Sequence, residues 1–359
     1  SDLLEQGDEL PSVHIIMVLG QFAYGLGAGT AWAVGQFGKR YGAVDTGDAV
    51  SNERTSVLKQ SGLMSRSSQL LIACFMTTIY LSGAFVVLVI TAATNWQALR
   101  EVQRDHAFWS RAPHAICLYS VDAVGSLASL ALIRYAGLHS VTILACIAMN
   151  SFYAVCSPLM LFLVFHEAPS AYLAMTVLFL CLGMFLAFGG CNRLLPSPEH
   201  ALSSTDSRET FSTASSKVLL EIVVASALIG VCYSFGAVSS RYWMRDVPTN
   251  VKDGWALLSV LLNHIPTVLL NAFAALLTLL LARDLDLRAV WAATYRRHKV
   301  CFACGMVAGL GSLSFQKSMA HATSSTLPIC LAQVTFNLVT VLMFRIVYRE
   351  TFTLVQNFG

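Results

Sequence analysis

Three charged side chains lie inside strongly apolar stretches of this sequence. Asp122 is part of the stretch LYSVDAVGSLASL, Arg134 follows near the end of the same run, and Lys317 lies in LGSLSFQKSMAHATSSTLP. If these stretches cross a membrane, a carboxylate near the centre costs on the order of 3 kcal/mol on insertion scales. Charges at that depth are kept where they are paired or face a wet cavity, so these are the first candidates for binding a solute or a coupling ion.

Each of these charges has a functional and a structural interpretation. Asp122 either couples transport to a proton or cation, or acts as the counter-ion of a substrate, or makes a structural hydrogen bond. Lys317 and Arg134 lie near the C-terminal ends of their stretches, where long basic side chains reach the membrane interface and a cation suits the helix end. The alternatives are that they face a cavity and hold an anionic group, or that Lys317 neutralises Asp122.

Two pairs of polar residues recur at helical spacing within other apolar stretches. Asn150 and Tyr153 are three residues apart, and Gln333 and Asn337 are four apart, so each pair shares one helix face. Such side chains either hydrogen-bond a polar solute or bridge neighbouring helices. Both interpretations stay open.

The first apolar stretch, GQFAYGLGAGTAWAVGQFG, is rich in small residues. Gly25 and Gly29 are four apart, a spacing that lets two helices approach closely, and we predict close packing here. Gln21, Tyr24 and Trp32 could present a polar and aromatic wall from the same helix.

Other polar groups are predicted to be structural. Asn263 and His264 lie in the second stretch after the central linker, which we expect to face the cavity less than its neighbours. Glu167 and Glu350 end their stretches, and we expect them to be interfacial anchors or gate contacts.

The composition identifies the class of protein. The chain has 359 residues, of which 56% are hydrophobic and only 12% charged, and its mean hydropathy is +0.63. The apolar residues form repeated blocks of roughly 20 to 28, the length that a helix needs to cross a bilayer. Because the blocks are continuous and do not alternate, the sequence predicts an all-α integral membrane protein.

Nine spans can be placed along the chain, at 13 to 37, 68 to 93, 114 to 136, 140 to 164, 170 to 190, 217 to 240, 254 to 282, 299 to 320 and 325 to 347. They predict a tail at 1–12, a first five-helix repeat at 13–190, a linker at 191–216 and a second repeat at 217–359. The second repeat has four helices and the start of a fifth, so we expect most of a tenth span to lie beyond residue 359.

The two halves share the same spacing of spans and connectors. Sliding the third and fourth spans by 183 residues superposes them on the eighth and ninth, with Arg134 on Lys317 and Glu167 on Glu350. Two halves of five spans each enter a membrane in opposite orientations, as in many secondary transporters, whose binding site lies between the repeats near the midplane.

The closely spaced helix pairs ALIRYAGLHSVTILA…VFHE and SMAHATSSTLP…VYRE each end in an acidic residue, and they are followed by AYLAMTVLFLCLG and LVQNFG. In this pattern the chain resembles the drug/metabolite transporter superfamily, most closely its EamA-like members, over nearly its whole length. The resemblance implies a ten-helix inverted-repeat fold around a central cavity lined by the first, third and fourth helices of each repeat. It also implies alternating access for a small solute.

Several classes of function are not expected from the sequence. It has no nucleophile with its base, no phosphate-binding glycine loop and no HExxH motif, so we expect neither an enzyme nor a cofactor. Cys301 and Cys304 form a lone CxxC, which we interpret as helix packing and not as a metal site. The net charge of +3 is dispersed, so no nucleic acid is expected as a partner.

The leading hypothesis is a secondary transporter of a small polar solute. The alternatives are a nucleotide-sugar or phosphorylated-sugar exchanger in which Lys317 and Arg134 hold the phosphate, and a non-transporting membrane scaffold. The expected partners are the solute, a coupling proton or cation, membrane lipid and a second copy of the chain in a homodimer. The distribution of Lys and Arg indicates an N-terminus outside the cytoplasm, whereas the family resemblance implies one inside, and orientation stays open.

Overall fold

The computed structural model describes residues 11–43, 66–139, 141–167, 174–175, 177–179, 181–183, 216–322 and 326–348. Within these ranges the regular structure is helical, and no strand occurs. The elements are α1 (Pro11–Ala43), α2 (Arg66–Thr94), α3 (Trp96–Gln103), α4 (His106–Leu138), α5 (Thr142–Phe165), α6 (Ser216–Met244), a 3-10 turn (Thr249–Val251), α7 (Lys252–Leu281), α8 (Leu287–His321) and α9 (Thr326–Tyr348).

The prediction of an all-α chain with membrane-spanning helices is confirmed. Seven of the described helices, α2 and α4 to α9, are long and apolar enough to cross a membrane. Eight of the nine predicted spans fall on described helices. The predicted span at 170 to 190 lies mostly outside the described residues, as do the tail before residue 11, the linker before residue 216 and the predicted start of a tenth span.

Two predicted connectors are partly helical. The short helix α3 lies in one of them with Leu99 and Val102 buried against the bundle, and α8 begins twelve residues before its predicted span. Aspartates explain where the helices start, because their carboxylates accept hydrogen bonds from free backbone N–H groups of the first turn. Asp105 accepts from the backbone of Ala107, and Asp286 from that of Ala289, each at 2.9 Å.

The helix α1 packs along α8 and α9 of the other half. It is antiparallel to α8, since the Ser318 hydroxyl donates to the Gln21 carbonyl at one end and the Cys301 thiol to the Gly38 carbonyl at the other. It is parallel to α9, because Gly25 contacts Leu331 near the start of α9.

The helix α6 packs in the same manner on α4 and α5. It is antiparallel to α4, since the Tyr135 hydroxyl donates to Glu221 and the Ser239 hydroxyl donates to the Ala115 carbonyl at 2.8 Å. It is parallel to α5, where Ser157 donates to Ser234 at 3.2 Å. The first helix of each half therefore lies against the third and fourth long helices of the other half.

The hydrophobic core differs between the two ends of the bundle. At the end where α1, α4, α7 and α9 begin, here named the Trp255 end, one continuous cluster of buried residues connects all nine helices. At the opposite end, named the Phe344 end, the described residues form two separate clusters. One joins α4, α5, α6 and α9, and the other joins α2, α7 and α8.

Glycine allows the closest helix contacts, as the small-residue pattern of α1 predicts. A Cβ atom at Gly29 would overlap the backbone carbonyl of Ala332 on α9, and one at Gly305 on α8 would overlap the carbonyl of Tyr80 on α2. A side chain at either position would force the helices apart.

We expect Gly29→Ala to lower the thermal unfolding temperature of the detergent-purified protein, because its methyl group collides with the backbone of α9. Gly20→Ala is the matched control on the same helix, since nothing lies within 4 Å of its new methyl group. That substitution should be neutral or slightly stabilising, by up to about 1 kcal/mol, through helix propensity. Equal unfolding temperatures for the two variants would contradict the close packing of α1 on α9.

Candidate functional site

A polar cavity of about 180 Å³ lies in the middle of the bundle. All eight long described helices contribute to its wall, so the two halves of the chain enclose it jointly. A cavity of this kind, apolar in part and with a few convergent polar groups, is the usual form of a small-molecule site.

Asp122 lies on the wall that α4 contributes. Tyr119, one helical turn earlier, lies on the same wall. The helix α6 passes directly over Asp122 at Gly236, where an added Cβ would lie 2.6 Å from the Asp122 Oδ1 atom. Only glycine at this position lets α6 approach the carboxylate so closely.

Lys39 brings a positive charge to the same cavity. It lies in the last turns of α1, and its ammonium interacts electrostatically with Asp122. The Lys39 Nζ atom also lies 5.8 Å from the centre of the Tyr80 ring, within the range of a cation–π contact. The cavity therefore holds one carboxylate and one ammonium, contributed by different helices.

Two glutamine side chains on the wall have unused hydrogen-bonding capacity. Gln36 and Gln333 are 8% and 1% exposed, and within the described structure neither amide oxygen has a hydrogen-bond partner. Buried polar atoms are nearly always paired, so an unpaired acceptor at a cavity is a position where a bound molecule can donate a hydrogen bond.

Aromatic rings form much of the remaining wall. Trp32 and Phe315 pack with their ring centres 4.9 Å apart, and Tyr153 and Tyr233 meet edge to face at 6.5 Å. Rings of this kind offer apolar contact to a solute and can also bind a cation on their faces.

The structure places four of the nine predicted candidates on the cavity wall: Asp122, Asn150, Tyr153 and Gln333. The Asn150 amide nitrogen donates to the Cys146 carbonyl at 2.7 Å, a bond within its own helix. These residues come from α4, α5 and α9, three of the six helices that the family resemblance implies for the cavity wall.

Lys317 does not line the cavity. Its Nζ atom pairs with Asp253 Oδ1 at 2.9 Å and lies 5.9 Å from the centre of the Tyr24 ring, at the Trp255 end. The hypothesis that Lys317 neutralises Asp122 is therefore wrong for this structure. The reason is that α7 begins beside the end of α8 and brings Asp253 to the lysine.

Gln21 and Tyr24 belong to the same end and are not on the cavity wall. The Gln21 amide donates to the His321 carbonyl, and the Tyr24 ring stacks on the His321 ring with centres 6.4 Å apart. Both residues connect α1 to the end of α8.

Arg134 and Asn337 are not among the residues that line the cavity either. Arg134 is half-buried near the end of α4. Asn337 follows Gln333 by one turn of α9 and is also half-buried, and its amide oxygen has no hydrogen-bond partner in the described structure. The nine candidates are thus divided between the cavity and other parts of the helices.

Sequence reasoning missed Lys39 because it ended the first span at residue 37, whereas α1 continues to Ala43. The spacing of Trp32, Gln36 and Lys39, four and then three residues, places all three on one helix face and would have revealed the lysine.

Asn263 and His264, predicted to lie away from the cavity, line it as well. Asn263 Oδ1 accepts from the Trp243 indole at 3.1 Å, and the His264 Nδ1 atom contacts the Val260 carbonyl at 2.8 Å. The Asn263 amide nitrogen and the His264 Nε2 atom take no part in these two contacts. The second long helix of the second half thus contributes to the cavity.

Bulky rings and an ion pair fill the bundle between the cavity and the Trp255 end. Phe108 stacks on Trp243 at 4.6 Å and meets Trp255 edge to face at 5.1 Å. Nearby, Arg241 Nε pairs with Glu167 Oε1 at 2.5 Å, with both side chains 17% exposed. The ion pair does not distinguish the two predicted roles of Glu167, interfacial anchor and gate contact, and Glu350 lies outside the described residues.

On the side of the Phe344 end, a second cavity of about 10 Å³ shares Lys39 and Tyr80 with the central one. It lies between α1, α2 and α4, near the place where the core is split into two clusters. This small cavity is lined mainly by apolar groups and meets the central one at Lys39 and Tyr80.

Comparison with known proteins assigns no family to the chain, because no family model and no curated protein sequence matches it.

Proposed function

We propose that this chain is a secondary membrane transporter that moves a small polar solute by alternating access between two inverted repeats. The observation that carries the proposal is the mid-bundle cavity with Asp122 and Lys39 on its wall, enclosed by helices of both halves. Charged groups at such depth are expensive for a protein that only needs to span a membrane, and they mark solute or ion pathways.

Equivalent contacts in the two halves support the repeat. The contact of Gly38 on α1 with Cys301 on α8 has its counterpart in that of Ser239 on α6 with Ala115 on α4. In each case the partner of the first helix is the third long helix of the other half.

A second pair of contacts keeps the same register. Gly35 lies against Ala308, and Gly236, three residues before Ser239 just as Gly35 is three before Gly38, lies against Asp122. Ala308 follows Cys301 by the same seven residues by which Asp122 follows Ala115.

The contacts with the fourth long helices are also equivalent. Gly29 of α1 meets Thr335 and Phe336 of α9, and Gly230 of α6 meets Phe152 and Tyr153 of α5. Sliding α5 by the 183 residues found in the sequence superposes these partners on one another.

The helix directions favour an inverted repeat over a parallel one. The contacts make α1 antiparallel to α8, and α2 runs parallel to α8, since Ala84 meets Gly309 as Tyr80 meets Gly305. The helices α4 and α7 both begin at the Trp255 end, and α6 is antiparallel to α4. The helices α1 and α6 therefore run in opposite directions, as inversion requires.

These contacts change the predicted correspondence between residues of α4 and residues of α8. Cys301 corresponds to Ala115 and Ala308 to Asp122, because each pair contacts equivalent positions of α1 and α6. Ser129 then corresponds to Phe315 and not to Ser312, so α4 and α8 are offset by three residues from the predicted slide. In this register Arg134 and Lys317 are no longer equivalent.

This arrangement is the one expected of the drug/metabolite transporter superfamily and its EamA-like members, to which we assign the chain as part of the proposal. The two alternative functions gain no support from the site. The exchanger needs Arg134 and Lys317 at the cavity, where neither lies. The scaffold needs Asp122 locked in a hydrogen bond between helices, whereas Asp122 lies on the wall of the cavity.

The core suggests which end is closed. Among the described residues, a continuous core with many aromatic rings and the Arg241–Glu167 pair fill the Trp255 end, whereas the core of the Phe344 end is divided into two clusters, so we infer that the Phe344 end is the open one. In alternating access, the reciprocal state would open the first end and close the second.

We expect Asp122→Asn to reduce the initial rate of solute uptake into proteoliposomes at least tenfold, because the carboxylate contacts the solute or its coupling ion. Uptake is measured with labelled small amines and amino acids. Asp284→Asn, which removes an exposed carboxylate from the loop between α7 and α8, is the matched control and should transport normally. Unchanged uptake by Asp122→Asn would remove this residue from the mechanism.

We also expect a cysteine at Ser126, on the cavity wall, to react with an impermeant maleimide from one face of the membrane only. The native cysteines are replaced first, and single cysteines at the exposed positions Arg104 and Arg283 mark the Trp255 and Phe344 faces. Labelling should occur from the Arg283 face. Labelling from the Arg104 face, or from neither, would contradict the proposed open end.

A further inference from the structure

The proposed transport leaves the chemical class of the solute open, and the following inference rests on that proposal. Lys39 and Asp122 are the charged residues that line the described cavity. Their opposite charges interact across it, so the empty cavity is close to electrically neutral. A bound solute must either leave this pair intact or take the place of one of its members.

The helix packing does not require these charges. Under the contact register of the two halves, Asp122 corresponds to Ala308, because Gly236 packs on the first as Gly35 packs on the second. Lys39 follows Gly38 as Ser240 follows Ser239, so a serine takes its place in the other half. The same framework is therefore built once with small uncharged residues and once with a carboxylate and an ammonium on the cavity wall.

The polar groups that remain without partners are acceptors. The amide oxygens of Gln36 and Gln333 have no hydrogen-bond partner in the described structure, although both side chains line the cavity. Together with the Asp122 carboxylate they form a set of oxygens that suits a group carrying several N–H donors. A carboxylate or phosphate would instead meet these oxygens with its own lone pairs.

The aromatic wall already accommodates one ammonium. Lys39 Nζ lies 5.8 Å from the centre of the Tyr80 ring, and Trp32 and Phe315 lie on the same cavity. The faces of such rings attract ammonium groups. The volume of about 180 Å³ exceeds the roughly 150 Å³ in which a benzene molecule fits, so a single ring with a short amine tail can enter.

We propose that Lys39 is a built-in competitor of the solute for Asp122, and that the solute is a small organic molecule with a protonated amine. In the empty carrier the Lys39 ammonium neutralises the carboxylate. When the solute binds, its ammonium takes the place of that of Lys39 beside Asp122, and the glutamine oxygens accept its remaining N–H groups. The Asp122 carboxylate is then paired in both states, and the displaced Lys39 ammonium keeps its contact with the Tyr80 ring.

Substitution of an ordinary binding residue weakens binding, whereas the proposal predicts that substitution of Lys39 strengthens it. Removing a competitor tightens binding, and if Lys39 occupies the carboxylate about nine-tenths of the time, Lys39→Met tightens it about tenfold. If Lys39 instead held a carboxylate of the solute, the same substitution would weaken binding.

The experiment measures the dissociation constants of three probes of similar size for the purified protein by calorimetry: 2-phenylethylamine, the uncharged 2-phenylethanol and the anionic 3-phenylpropionate. The variants are Lys39→Met, Asp122→Asn and the double variant, which buries no charge and keeps the test informative if a single variant folds poorly. Lys317→Met is the matched control, since it removes an ammonium that lies outside the cavity.

We expect wild type to bind the amine more tightly than the alcohol, and Lys39→Met to bind it about tenfold more tightly still. Asp122→Asn and the double variant should bind the amine no better than the alcohol, and Lys317→Met should resemble wild type. The proposal is overturned if Lys39→Met weakens or does not change amine binding, if it abolishes binding of 3-phenylpropionate, or if no form of the protein binds the amine.

These outcomes are separate from those of the transport proposal. If the amine binds as expected but no labelled solute enters proteoliposomes, the cavity is an amine site and the transport function fails. If wild type transports an uncharged or anionic solute at a rate that Lys39→Met does not change, transport stands and the competitor role of Lys39 fails.

Discussion

The burial of a carboxylate and an ammonium in one cavity is the constraint on which the rest of this structure depends. Asp122 and Lys39 line a cavity inside the bundle, where an isolated charge is costly, so we expect the carboxylate to be matched by the ammonium or by a bound group. Tyr119 lies on the cavity wall one helical turn before the carboxylate, Gly236 lets α6 pass over it, and the Tyr80 ring contacts the ammonium.

The cavity forms because the first helix of each half packs on the other half. Because α1 packs on α8 and α9, and α6 packs on α4 and α5, neither half can form its side of the cavity alone. Glycines make these crossings close, as at Gly29 and Gly230. The two ends of the bundle differ, since the described residues form one continuous core at the Trp255 end and two separate clusters at the Phe344 end.

The helices could be predicted from the sequence, since long apolar blocks leave few other structures in a membrane. Asp122, Asn150, Tyr153 and Gln333 could be placed at a cavity because polar groups within such blocks are rare. Lys39 was missed because the apolar composition ends the first span before it, whereas the backbone continues as α1 to Ala43, and only its helical spacing from Trp32 and Gln36 points to it.

The ion pair between Lys317 and Asp253 could not be predicted from the sequence either. Asp253 lies more than sixty residues earlier in the chain, and only the packing of α7 beside the end of α8 brings the two together. The exact correspondence between residues of the two halves also required tertiary contacts, because most matching positions are apolar and the sequences can be shifted by one helical turn without a visible mismatch.

Alternating access is tested most directly by the distances between spin labels at the two ends of the bundle, measured with and without 2-phenylethylamine. One pair, at His139 and Arg283, spans the split core of the Phe344 end, and the other, at Arg104 and Leu327, spans the Trp255 end; all four positions are exposed. Alternating access predicts that the ligand shifts populations so that the first distance shortens while the second lengthens. Two distances that stay fixed, or that change in the same direction, would contradict it.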